Sequence, residues 1–79
     1  MTLKIISAED VLFEGEVDLV RLPGEKGAFT VLRNHASLIS VLVAGEITYV
    51  KAGGEEADPI SVAGGIVDVD RNVVSVCIY

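Results

Sequence analysis

Apolar and polar residues alternate along this chain with a period of two rather than 3.6. The pattern is clearest near the C-terminus, where Val67, Val69, Val74, Val76 and Ile78 share one face and Asp68, Asp70, Ser75 and Tyr79 the other. Such segments are strands that bury one side against a second layer. The same reading predicts strands over 3–7, 11–17 (bent at Gly15), 18–22, 29–32, 38–43, 45–51, 59–62, 66–70 and 73–78. Segment 38–43 is apolar enough to predict burial on both faces. Segment 45–51 sets Ile47 and Tyr49 against Thr48 and Val50.

Turn chemistry separates these runs. Pro23-Gly24, Ala52-Gly53-Gly54-Glu55 and Arg71-Asn72 are turn signals, and Gly64-Gly65 interrupts a ladder. Residues 33–36 (Arg33-Asn34-His35-Ala36) read as a connection. Valine, isoleucine and threonine supply 23 of the 79 residues, and β-branched side chains pack better on a pleated sheet than in a helix. The expected fold is all-β: one domain over 1–79, a small flattened sandwich or barrel of about eight to ten short strands.

The charge balance narrows the partners. Twelve acidic residues against six basic ones leave a formal charge of −6. The basic residues Lys4, Arg21, Lys26, Arg33, Lys51 and Arg71 are scattered singly. That field repels phosphates and anionic head groups, which argues against nucleic acid and against direct lipid insertion. No apolar run reaches the ~20 residues of a membrane-spanning helix. The first residues lead straight into strand-like sequence, so no signal peptide is expected. One cysteine, Cys77, permits no internal disulfide, which fits a reducing compartment.

Candidate chemistry is sparse. One histidine and one cysteine, 42 residues apart, do not furnish a zinc site, and no metal or cofactor is expected. Cys77 stands in an alternating strand and reads as a small packing thiol rather than a nucleophile paired with His35. Neither Gly24-Glu25-Lys26-Gly27 nor Gly64-Gly65 opens a helix, so neither is a phosphate cradle. The pairs Glu9-Asp10 and Glu55-Glu56 read as solvated turn tips. Catalysis is not expected of this chain, and binding is. His35 reads equally well as a turn cap or as an exposed contact.

Five segments in order resemble one family. Leu3-Lys4-Ile5-Ile6-Ser7-Ala8-Glu9 followed by Phe13-Glu14-Gly15 resembles the opening of the epsilon subunit of bacterial and chloroplast ATP synthases. Pro23-Gly24-Glu25-Lys26-Gly27-Ala28-Phe29-Thr30-Val31-Leu32 is similar to its Gly-x-x-Gly loop and strand. His35-Ala36-Ser37-Leu38 stands where the family carries His-Ala-Pro-Leu, with serine for proline, and Arg33 replaces a frequent proline. Gly45-Glu46-Ile47 and Val62-Ala63-Gly64-Gly65-Ile66-Val67-Asp68-Val69 complete the series.

The resemblance implies a non-catalytic rotor subunit in the central stalk of a proton- or sodium-translocating ATP synthase. It would link the gamma subunit to the c-ring and help couple ion flow to ATP synthesis. It implies a place at the cytoplasmic face of the bacterial inner membrane, peripheral through the complex. Glu25, Lys26, Gly27, Ala28 and Phe29 are expected to face the c-ring, and Ser7, His35 and Ser40 to lie near gamma. Many members continue into a two-helix hairpin; the resemblance here is to a short form, and the hairpin's inhibitory and ATP-binding roles are not assigned. The alternative is a lipoyl- or biotinyl-type carrier with Lys51 as its attachment site, although Tyr49-Val50-Lys51-Ala52 lacks the carrier's flanking residues.

Overall fold

Strands form where the period-two pattern puts them, and two of the expected ones are a single element. The computed structural model describes all residues, Met1–Tyr79. It contains β1 (Thr2–Ile6), β2 (Val11–Gly24), β3 (Gly27–Leu32), β4 (Leu38–Leu42), β5 (Gly45–Lys51), β6 (Ile60–Val62), β7 (Gly65–Asp70) and β8 (Val73–Ile78). A straight strand as long as β2 would span about 45 Å, far more than the molecule's longest extent. That extent is 28 Å, so β2 has to bend.

The bend is also a change of partners. The first half of β2 pairs with β1, from Thr2 opposite Glu16 to Ile6 opposite Val11. The second half lies between β3 and β5, with Val20 opposite both Val31 and Tyr49. Register with β5 slips between Val17 and Leu19, leaving Asp18 as the extra residue of a bulge. A second slip, against β1 between Ile5 and Ile6, leaves Leu12 as an extra residue. The irregularities of β2 therefore sit at Leu12 and Asp18, while Gly15 pairs in register with Leu3.

Closure follows from the remaining pairings. β1 runs parallel to β8, β8 pairs with β7, and β7 with β4. β4 returns to β2 through Gly24 opposite Leu42, and the Glu25 and Val43 amides donate to the Val41 and Pro23 carbonyls at 3.0 and 2.9 Å. This circuit faces a second layer of β3, β2, β5 and β6. The result is an all-β flattened barrel, as expected.

Fourteen apolar residues fill the interior, and no polar side chain is buried there. Each fully buried valine, leucine or isoleucine contributes about 1.5–3 kcal/mol relative to exposure. Ile47 and Tyr49 face inward as the alternation of β5 predicts, and the Tyr49 ring packs 4.5 Å from that of Phe13. Arg71 and Asn72 have φ of 48° and 62°, the left-handed pair that a two-residue type I′ hairpin demands.

Two expectations fail on the outer face. β4 is not buried on both sides: Leu42 is, but Ile39, Val41 and, just beyond the strand, Val43 are exposed. Cys77 is exposed rather than packed inside. The cause is shared. Only one side of this sheet meets the second layer, so the odd positions of β4 and β8 point outward whatever their polarity.

Candidate functional site

Cross-strand register sorts the outward side chains into rows. Val41 lies opposite Ile66, Ile66 opposite Cys77, Cys77 opposite Ile6, and Ile6 opposite Val11. Directly opposed residues point to the same face. Five strands thus present one continuous apolar row, in which Val11 is 58% exposed, Ile66 52% and Val41 47%. The next row along the same strands reads Ile39, Asp68, Ser75, Lys4 and Glu14. Beyond it come Asp70, Val73, Thr2 and Glu16, where Thr2 Oγ1 donates to Glu16 Oε2 at 2.8 Å. Polar side chains thus gather toward one end of the strand axis, with the exposed Ile39 and Val73 the apolar members of those rows, while the row at the other end is apolar throughout.

The hairpin joining β2 to β3 adjoins the apolar end. Glu25 and Lys26 form its exposed two-residue tip, and Gly27 has φ of 123°, a conformation that glycine alone adopts without strain. The Phe29 ring folds back over Gly24, where a Cβ would come within 2.8 Å of it. The Glu25 amide's bond to the Val41 carbonyl ties the tip to the row. Glu25, Lys26, Gly27, Ala28 and Phe29 share one shallow groove with Ile39, Ser40 and Val41.

The three other predicted contacts do not converge. Ser40 lies in that groove, beside the residues expected at a different partner, and its hydroxyl donates to the Val41 carbonyl at 3.3 Å. Ser7 follows Ile6 at the opposite end of the row, where its backbone and hydroxyl pair with Asp10 and close the turn into β2. His35 sits in the β3–β4 connection, next to Asn34, which bonds Asn72 before β8. Thr2, which pairs with the start of β8, and Ile6 are separated by four residues of strand, about 13 Å. His35 and Ser7 thus mark opposite ends of the outer face.

The same spacing separates His35 from Cys77, so the two do not form a nucleophilic pair. No three histidine, cysteine or carboxylate side chains gather as metal ligands would. No helix is long and apolar enough to cross a membrane. Lys51 is not the apex of a hairpin. Its backbone pairs with Val17, its amide donates to Glu55, and its ammonium stands 3.6 Å from a Glu55 oxygen.

Comparison with known proteins interprets this arrangement. The family model of the delta/epsilon chain β-sandwich domain of ATP synthase matches residues 1–78. The chain belongs to that family. The ATP synthase epsilon chain of Leptospira borgpetersenii is 41% identical over 76 residues, which cover 96% of this chain and 58% of the relative. That of Bordetella petrii is 41% identical over 76 residues, covering 96% and 53%. The chain spans little more than half the length of these epsilon relatives. Solved structures share the fold. A chain of the Euglena gracilis mitochondrial ATP synthase (OSCP/F1/c-ring) superposes with a TM-score of 0.88 at 22% identity, covering 96% of this chain and 48% of that one. A chain of the Tetrahymena thermophila central stalk and c-ring gives 0.78 at 15% identity, covering 99% and 62%.

The residues missed from sequence are the members of the row. A signal was present: Ile66 breaks the polar set that Asp68 and Asp70 establish on β7, and Ile6 and Val41 hold the matching parity on β1 and β4. Singly such residues are ordinary, and only the register between strands joins them into a contiguous strip.

Proposed function

We propose that this chain is a non-catalytic rotor element in the central stalk of a rotary ATP synthase. In this reading the gamma subunit grips the row Val41–Ile66–Cys77–Ile6–Val11, and the Glu25–Lys26 tip meets the c-ring. Coupling proton or sodium flow to ATP synthesis then requires a stiff body held at two places, at the cytoplasmic face of the bacterial inner membrane and peripheral through the complex. Ser7 at one end of the row and His35 beyond the other end of the face border the gamma contact. Ser40 belongs by position with the c-ring group.

The observation that carries the reading is the continuity of the row across five strands. Scattered exposed apolar residues are ordinary, whereas a contiguous strip covers a partner. Its polar neighbours, Asp68, Ser75, Lys4 and Glu14, supply the rim of such an interface.

The test is Ile66→Asp. Ile66 is exposed, so the variant keeps its cooperative melt. A carboxylate in the middle of a desolvated strip weakens gamma binding by about a hundredfold, close to 2.7 kcal/mol. Calorimetric titration with purified gamma subunit measures it. Wild-type chain that does not bind gamma, or a folded variant that binds as tightly as wild type, overturns the reading.

A further inference from the structure

The register that builds the apolar row carries it one position further. On β8 the outward residues run Val73, Ser75 and Cys77 from the polar rows to the apolar one, and Tyr79 is next on that side. Backbone pairing continues past the last strand residue. The Tyr79 amide donates to the Gly64 carbonyl at 3.1 Å, and the Ala63 amide donates to the Tyr79 carbonyl at 3.0 Å. Gly64 stands two residues before Ile66 and has no side chain of its own, so the phenol ring lies across it. A Cβ on Gly64 would come within 3.0 Å of Cε2, Cζ and Oη of Tyr79. Gly64 is buried, while Tyr79 is 80% exposed, the highest value among the large hydrophobic residues. The ring is seated on backbone from beneath and open above.

We propose that Tyr79 is the aromatic anchor of the gamma contact and that Gly64 is the positioning residue that seats its ring, an inference that rests on the rotor reading above. Gamma is the occupant because Tyr79 continues the row assigned to it, on the side away from the polar rows. An aromatic side chain can bury roughly 150–250 Å², more than any aliphatic member of the row. Tyrosine is also over-represented among the few residues that carry most of an interface's binding energy. A ring already resting on backbone loses less freedom when a partner covers its other face.

Three variants divide the contributions. Tyr79→Ala removes the ring, Tyr79→Phe removes only the hydroxyl, and Gly64→Ala keeps the ring but displaces it. The backbone of Gly64 is not among those with positive φ, so alanine fits there and the ring is what must yield. Each variant is checked for a cooperative melt and titrated calorimetrically with purified gamma subunit. Tyr79→Ala is expected to weaken binding about thirtyfold and Gly64→Ala about fivefold, with Tyr79→Phe within about threefold of wild type. Fluorotyrosine labelling gives fluorine NMR signals from Tyr49 and Tyr79, assigned with Tyr79→Phe. The Tyr79 signal is expected to shift on gamma binding and to differ in free Gly64→Ala. Wild-type affinity in Tyr79→Ala, with Ile66→Asp weakened, overturns the anchor and leaves the rotor reading standing. A shifted Tyr79 signal in Gly64→Ala with undiminished binding overturns the role of Gly64. A dimer of the free chain that Tyr79→Ala dissolves assigns the ring to a second copy and overturns the anchor as well. Wild-type chain that does not bind gamma overturns the rotor reading, and the anchor with it.

Discussion

Both faces of the β4–β7–β8–β1 sheet carry aliphatic side chains on the same strands, but only one of them is covered. Inward, Val67, Val69, Val74, Val76, Leu3 and Ile5 are sealed by the second layer. Outward, Ile66, Cys77, Ile6 and Val41 occupy the alternate positions at one end, with carboxylates, a lysine and hydroxyls beside Ile39 and Val73 at the other. Burial on the inner face is complete within the chain. On the outer face the apolar end is left open, and in the rotor reading hydrophobicity there serves contact with another molecule instead of folding. An apolar side chain thus reveals that it is destined for burial, without revealing whose surface will bury it.

A matched pair of isoleucines tests this division. Ile5 has no exposure and Ile66 is half exposed. Truncation of the buried one, Ile5→Ala, is expected to cost about 2–5 kcal/mol, measured by denaturant unfolding. Ile66→Ala is expected to shift stability by only about 0.5 kcal/mol while weakening gamma binding about tenfold, a loss of 1.4 kcal/mol. Equal stability losses at the two sites would erase the contrast between the faces. The smallest effect belongs to the polar end of the same face. Asp68→Ala, one row away from Ile66, is expected to leave stability within about 0.5 kcal/mol and gamma binding within about threefold. A loss at Asp68 as large as that at Ile66 would move the contact into the polar rows.

These results also separate what one-dimensional pattern conveys from what it withholds. Alternation in β5, β7 and β8 gave the inner face correctly because neighbours two apart share a side regardless of partner. Arg71-Asn72 was legible as a tight hairpin because the residue types and the loop length agree. The single run of β2 was not legible: the division expected between Val17 and Asp18 falls beside a bulge at Asp18 where the strand changes partners without ending, and the bend expected at Gly15 is regular pairing, with the other slip at Leu12. The outward set on β4 was hidden by its own apolarity, because leucine and valine in succession look alike whether the cover is intramolecular or not. The expected gamma contacts Ser7 and His35 emerged at opposite ends of the face because their spacing depends on register between β1 and β8. Likewise the Asn34–Asn72 hydrogen bond joins residues far apart in sequence.

The course of β2 has a consequence for load. A push on the Glu25–Lys26 tip enters this strand directly and reaches the β1-paired half through an unbroken line of peptide bonds. Two layers held together by side-chain packing alone would slip past one another under sideways strain. Here a covalent rib crosses from one to the other, so shear at the tip is carried as tension in the backbone.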